Sequence, residues 1–149
     1  MSLVTPHQVV LNLDTTDRTI AIRTLAETLV RDDRVGDLEG LLSDVQRREE
    51  QMATGLPGGI AIPHSRSPHV NEPSIVFGRS DAGIDWGATD GPARLIFLIA
   101  VPEGGESDQL AVLAQLARRL AKPSLREQLL TMSDPQEIAG LLDDQVVRS

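Results

Sequence analysis

The fold of this chain is best understood outward from one stretch, Gly55-Leu56-Pro57-Gly58-Gly59-Ile60-Ala61-Ile62-Pro63-His64. Glycine adopts backbone conformations that other residues avoid, so the first half of the stretch predicts a tight turn. The apolar residues 60–62 predict a short strand, which Pro63 stops because proline has no N–H to donate to a neighbouring strand. We therefore expect His64 at the open end of this strand, where the stiff proline fixes its position and an incoming group can reach it.

The other predicted strands follow this stretch. Residues 95–101 form a continuous apolar run, which is typical of a strand covered on both faces. Residues 74–79 predict a further strand, and residues 84–86 predict a short extended piece between turn residues. These segments together predict a sheet.

Two amphipathic helices are predicted before the glycine-rich stretch. The first begins near Thr16, and the second follows Asp37 as its N-cap. In each helix the apolar residues fall on one face at helical spacing, namely Ala21, Leu25 and Leu29 in the first and Leu38, Leu41, Leu42 and Val45 in the second.

Three helices are predicted after the apolar run. Ser107 caps the first of them, and Pro123 ends it. Ser124 and Glu127 form a capping box for the second, and Asp134 precedes a proline at the first position of the last. Because helices precede, separate and follow the strands, the sequence predicts an α/β fold in which a sheet carries helices on both faces.

Composition narrows the classes of function. The 149 residues are expected to form one domain, and the absence of cysteine excludes disulfides and thiolate metal sites. A net charge of -8 argues against nucleic acid, whose phosphates would be repelled, and suits a basic protein partner or simply solubility. We see neither a signal peptide nor an apolar stretch long enough to span a membrane, so we expect a cytoplasmic protein without membrane insertion.

His64 is the foremost candidate for chemistry. Neutral imidazole is a competent nucleophile near neutral pH because its unperturbed pKa is about 6.5. The alternative is a structural histidine that is hydrogen-bonded to backbone. A metal site built from His64 and His69 with Asp81 or Asp85 is a further alternative, although loop histidines are usually only solvated, and we expect neither a metal nor a cofactor.

Several motifs together resemble a known family. They are Arg48-Glu49-Glu50, Ala53-Thr54-Gly55, residues 59–64, residues 84–86, the strand at 95–101 and the helix opening at 108–110. In order and spacing this chain is similar to the fructose/mannitol-type enzyme IIA domain of the bacterial phosphoenolpyruvate:sugar phosphotransferase system. The resemblance implies a three-layer α/β/α sandwich with a mixed sheet. It also implies that His64 accepts a phosphoryl group from the phosphocarrier HPr and passes it to a cysteine of an enzyme IIB domain during sugar uptake.

The resemblance also implies roles for other residues. Arg48 matches an arginine near the active histidine, where a guanidinium stabilises phosphoryl charge. Thr54 offers a hydroxyl, and the glycine loop, with Gly55, offers backbone N–H groups. Many family members carry a second histidine at the position of Gln109, whose amide donates N–H but cannot carry a proton on and off. Each of these residues also has a plain structural alternative.

Two functions share His64 in this interpretation. One is a carrier in sugar transport, and the other is a regulatory module of the nitrogen phosphotransferase type, whose phosphorylation state controls its binding to target proteins. No residue in the sequence separates the two, and the sugar is not encoded in this chain.

Overall fold

The computed structural model of the protein describes residues 3–51, 54–88, 90–103, 115, 116, 118–120 and 122–147. Within this part of the chain, six strands form one sheet and long helices lie before and after them. The strands are β1 (Val9–Val10), β2 (Gly55–Leu56), β3 (Ile60–Ala61), β4 (His64–Ser67), β5 (Ser74–Ile84) and β6 (Ala93–Pro102). The helices are α1 (Arg18–Arg31), α2 (Leu38–Gln51), α3 (Pro123–Thr131) and α4 (Pro135–Val147), and residues 115, 116 and 118–120 are also helical.

The sheet is mixed, with the strand order β1-β5-β6-β3-β2 and with β4 also paired to β6. Strand β6 is antiparallel to β5 and parallel to both β3 and β4. The edge strand β1 is parallel to β5, and β2 is antiparallel to β3. The apolar run at 95–101 therefore lies inside the sheet, between β5 and the strands β3 and β4.

Helices cover both faces of the sheet, which confirms the predicted α/β sandwich. Residues Ile96, Leu98 and Ala100 of β6 pack in the core shared with α1 and α2. Their neighbours alternate to the other face, because successive side chains of a strand point in opposite directions. There Leu95, Phe97, Ile99 and Val101 meet Leu116, Leu120 and the inner residues of α3 and α4.

The caps of three helices follow from the sequence. The carboxylate of Asp17 accepts hydrogen bonds from the N–H groups of residues 19 and 20 at 2.7 and 3.4 Å, so α1 begins next to the predicted Thr16. Asp37 accepts from the N–H of Gly40 at 3.1 Å, and Asp134 from the N–H of Gln136 at 2.9 Å. Each carboxylate satisfies a backbone donor that has no partner inside the helix.

No helix in the described part of the chain is long and apolar enough to cross a membrane.

Other predicted boundaries are wrong. The helical residues 118–120 do come before Pro123, but Ser124 is not the cap of the next helix, because Pro123 is itself the first residue of α3 and Lys122 is its N-cap, without a side-chain hydrogen bond. Proline suits this position because its fixed φ is helical and its missing N–H would have no helical partner. The capping box of Ser124 and Glu127 is therefore not formed at the helix start. Strand β5 runs past the predicted residue 79 to Ile84, and the predicted cap Ser107 lies outside the described residues.

Pro63 interrupts a strand rather than ending it. Ala61 of β3 lies opposite Ile96, and His64 of β4 lies opposite Ile99, so the same register continues across the proline. The carbonyl of Pro63 still accepts a hydrogen bond from the N–H of Ile99 at 2.9 Å. Residues 60–67 thus follow one extended path along β6, and His64 lies within this path instead of at an open strand end.

Candidate functional site

The imidazole of His64 is held in one orientation by its own strand. The side chain is half-buried, and its Nδ1 lies 2.9 Å from the carbonyl oxygen of Ile62. A carbonyl oxygen can only accept a hydrogen bond, so this contact assigns the ring proton to Nδ1. The lone pair then resides on Nε2, which is the nitrogen able to attack an electrophile.

The pleat of β4 decides which side chains accompany His64. In the register with β6, His64 lies beside Ile99 and Arg66 beside Val101, on the face that packs against α3 and α4. Ser65 lies beside Ala100 on the opposite face, which excludes it as a direct partner of the imidazole. Arg66 is exposed and is a same-face neighbour that the sequence analysis missed, although its i+2 spacing on a strand is a simple signal.

The tip of the glycine loop lies far from His64. Gly58 and Gly59 form the turn between β2 and β3, with φ values of 94° and 76° that favour glycine. The carbonyl of Gly59 accepts from the N–H groups at the start of β6, residues 94 and 95, at 2.8 and 3.0 Å. His64 faces the far end of β6, roughly 16 Å further along at the usual strand rise. The expectation that this loop tip surrounds a phosphoryl group is therefore wrong, and the N–H of Gly58 already donates to Asp90 at 2.9 Å.

Thr54 and Gly55 lie at the histidine end of the β2–β3 pair. Thr54 is buried, and its hydroxyl donates to the carboxylate of Glu49. A Cβ added to Gly55 would lie 2.7 Å from the carbonyl oxygen of Trp86, so close packing alone requires glycine there. Contact of either residue with a phosphoryl group stays a prediction.

Glu49 is a second residue that the sequence analysis did not single out as part of the site. It is 7% exposed, and its carboxylate accepts hydrogen bonds from both the hydroxyl and the N–H of Thr54. The carbonyl of Thr54 in turn accepts from the N–H of Ile62 at 3.1 Å. The sequence did carry a signal, because Glu49 follows the buried Val45 at i+4 and so falls on the inward stripe of α2.

Of the two remaining predicted site residues, Arg48 is described by the structure and Gln109 is not. Arg48 lies in the last turn of α2 and is half-buried. This turn reaches the histidine end of the sheet, because the adjacent Glu49 bonds Thr54. Gln109 lies outside the described residues, so its role stays a prediction.

His69 does not join His64 in a metal site. Its Nδ1 lies 3.8 Å from a carboxylate oxygen of Asp37, rather than near Asp81 or Asp85. Its ring packs so closely on α2 that a Cβ at Gly40 would lie 2.4 Å from it. Among the residues that the structure describes, no cluster of three histidine or acidic side chains could hold a metal ion.

The chain matches one protein family over nearly its whole length. The family described as "Phosphoenolpyruvate-dependent sugar phosphotransferase system, EIIA 2" matches residues 2–145. The "PTS system fructose-specific EIIA component" of Haloferax volcanii is 38% identical over 127 residues, covering 85% of this chain and 82% of that protein. The "PTS system fructose-specific EIIABC component" of Bacillus subtilis is 33% identical over 95% of this chain, which spans only 22% of that longer protein. The chain belongs to the EIIA type-2 family of the phosphotransferase system, a family of phosphoryl carriers.

Solved structures agree with this assignment. "Nitrogen Regulatory Protein IIA-Ntr" from Neisseria meningitidis superposes with a TM-score of 0.86 at 29% identity, covering 94% of this chain and 96% of that one. The mannitol enzyme IIA of Escherichia coli, solved in complex with phosphorylated enzyme IIB, has a TM-score of 0.77 at 25% identity, covering 91% and 94%. Both transport and nitrogen-regulatory proteins therefore share this fold.

Proposed function

We propose that this protein carries a phosphoryl group on Nε2 of His64, taking it from HPr and passing it to an enzyme IIB domain. The observation that carries the proposal is the hydrogen bond from Nδ1 of His64 to the carbonyl of Ile62. It leaves Nε2 with the lone pair, on a half-buried ring that a partner protein can still reach. Membership of the EIIA family supports the same assignment.

The proposed transfer requires no proton to move. The Nε2 lone pair attacks the phosphorus of the phosphorylated donor, an Nε2–P bond forms, and the donor's bond to phosphorus breaks with its electron pair. The proton stays on Nδ1, so the ring becomes positively charged as the phosphoryl group arrives. The carbonyl of Ile62 then accepts a hydrogen bond from a charged donor, and such bonds are about twice as strong as neutral ones.

Arg48, Thr54, Gly55 and Gln109 complete the proposed site. Phosphoryl transfer is catalysed mainly by positioning and by charge stabilisation at the equatorial oxygens. A guanidinium serves this purpose because its N–H groups form a fork that matches phosphate oxygens. No metal or cofactor is needed for this chemistry.

A regulatory role is the second candidate. The observation in its favour is the likeness to the nitrogen regulatory IIA-Ntr structure, at a TM-score of 0.86 and 29% identity. In this role the phosphoryl group on His64 would control which target protein binds, instead of passing to enzyme IIB. The two roles separate in one measurement, because only the transport carrier transfers its label to an enzyme IIB domain.

The proposal is tested by labelling. Purified protein is incubated with phosphoenolpyruvate, enzyme I and HPr, and acid-labile phosphate is measured on the wild type and on two histidine variants. We expect His64→Ala to abolish labelling and His69→Ala to retain it, because His69 packs against α2 and has no place in the transfer. Stable label on the His64→Ala variant would contradict the proposal. Loss of label on addition of an enzyme IIB domain would support transport over regulation.

A further inference from the structure

A line of three hydrogen-bonded links joins a buried carboxylate to the imidazole of His64. The carboxylate of Glu49 accepts from the hydroxyl and the N–H of Thr54, the latter at 3.3 Å. The carbonyl of Thr54 accepts from the N–H of Ile62 at 3.1 Å. The carbonyl of Ile62 accepts from Nδ1 of His64 at 2.9 Å. In each link, the donor lies on the side of His64 and the acceptor lies on the side of Glu49.

The burial of Glu49 makes this line unusual. Its side chain is only 4% exposed, whereas burial of a carboxylate is unfavourable unless it is well paired. Arg18 lies 4.0 Å from this carboxylate, which is at the outer limit for an ion pair. Thr54 thus supplies its two closest contacts among the described residues. The carboxylate fixes the position of Thr54 from both the side chain and the backbone.

The other end of the line is equally constrained. Ile62 precedes a proline, and residues before proline are restricted to extended conformations. The carbonyl of Pro63 is bonded to the N–H of Ile99, which holds the chain beyond Ile62 against β6. The Ile62 carbonyl can therefore change only its tilt. This tilt is restrained by the hydrogen bond from the N–H of Ile62 to the carbonyl of Thr54.

We infer that Glu49 is a positioning residue for His64, which acts through Thr54 and Ile62 to keep the ring proton on Nδ1 and the lone pair on Nε2. This inference rests on the proposed function of His64. When one carboxylate oxygen is replaced by an amide NH2, Thr54 loses one of its two anchors, the Ile62 carbonyl tilts away from Nδ1, and the imidazole can place its proton on either nitrogen. A ring with the proton on Nε2 has no lone pair there with which to attack phosphorus.

The test compares Glu49→Gln with its neighbour Glu50→Gln. Glu50 is exposed, so the two substitutions make the same chemical change inside and outside the line. The tautomer is read from the imidazole ¹⁵N chemical shifts of His64 in unphosphorylated protein, and the rate of phosphorylation by HPr is measured separately. We expect Glu49→Gln to shift the imidazole toward the Nε2–H tautomer, and a fall of the Nδ1–H form to about a tenth would slow transfer about tenfold. Glu50→Gln should match the wild type in both.

Two substitutions at Thr54 keep the test decisive if Glu49→Gln fails to fold. Thr54→Ser retains the hydroxyl and should keep the Nδ1–H tautomer, whereas Thr54→Val has the same shape without the hydroxyl and should lose it. A folded Glu49→Gln protein with the wild-type tautomer and the wild-type rate of transfer would overturn the inference. A Thr54→Val protein with the wild-type tautomer and rate would overturn it as well. Failure of the wild type to accept phosphate would instead contradict the proposed function, because the ¹⁵N spectrum does not depend on phosphorylation.

Discussion

The two ends of the segment from Gly58 to His64 show different uses of unusual residues. At one end, Gly58 and Gly59 take positive φ values and turn the chain between two strands. At the other end, His64 is held by hydrogen bonds that continue back to Glu49. The glycines at the turn satisfy backbone geometry, and their nearest partners are Asp90 and the start of β6. At the histidine end, by contrast, hydrogen bonds join the side chains of Glu49, Thr54 and His64 through the backbone of Ile62.

The comparison shows that a glycine-rich motif beside a histidine need not surround it. A strand separates the two, and each residue of the strand adds about 3.3 Å between them. The turn positions the strand and the strand positions the imidazole, so the glycines act on His64 only through the fold. Substitutions at the turn end should therefore change stability alone, and those at the histidine end should change transfer.

Gly55→Ala should have the largest effect on stability, although it lies at the histidine end. Its added Cβ would meet the backbone oxygen of Trp86 at 2.7 Å, and backbone cannot move aside as a flexible side chain can. We expect the free energy of unfolding to fall by about 3 kcal/mol, at the upper end for overpacking. Urea denaturation measures it, with Gly36→Ala as the control because nothing lies within 4 Å of a Cβ there. Equal stability of the two variants would contradict the close packing of Gly55.

Arg48→Ala should have the next largest effect, on transfer rather than on folding. We expect phosphorylation by HPr to slow by more than tenfold, or about 1.4 kcal/mol of transition-state stabilisation, because the cation that we propose to contact the phosphoryl oxygens is removed. The matched control is Arg47→Ala, whose side chain is 67% exposed and bonds Asp44 on the same helix. Equal transfer rates in the two variants would remove Arg48 from the site.

Gly59→Ala should have the smallest effect and should sharpen the contrast between the two ends. An added Cβ meets only ordinary contacts, the nearest at 3.6 Å, so the cost is the strain of a positive φ. That strain is about 1 kcal/mol for a residue with a side chain. We expect this loss in the free energy of unfolding. The rate of phosphorylation should be unchanged under conditions in which the variant is fully folded. A slowed rate in fully folded protein would mean that the turn acts on the site after all.

The fold was largely predictable because its strongest patterns are local. The apolar run at 95–101 has no polar position that water could reach, so it belongs inside a sheet. The carboxylates of Asp37 and Asp134 cap helices through contacts with residues two or three positions away. By contrast, Val9–Val10 is a strand only because β5 lies beside it, and two residues carry no periodic signal.

The candidate site could be located from the sequence, but the contacts around His64 could not. His64 could be singled out because Pro63 and the glycines make its surroundings unusual. Backbone N–H groups of the glycine loop were expected at the phosphoryl group, but the strand after Gly58 and Gly59 carries the chain away from them before it reaches His64. Glu49 was missed as a site residue because its contact with Thr54 joins a helix to a strand, and the sequence does not reveal which carboxylate turns inward.

The unbroken register across Pro63 makes the length of the segment before His64 as important as its composition. Ala61 packs in the core beside α1 and α2, while His64, three residues later, lies on the opposite face beside Ile99. Because side chains alternate with a period of two, deleting or inserting one residue there would turn the imidazole into the layer of α1 and α2. Ile62 can therefore be exchanged for another apolar residue, but the sequence separation between Ala61 and His64 must stay odd.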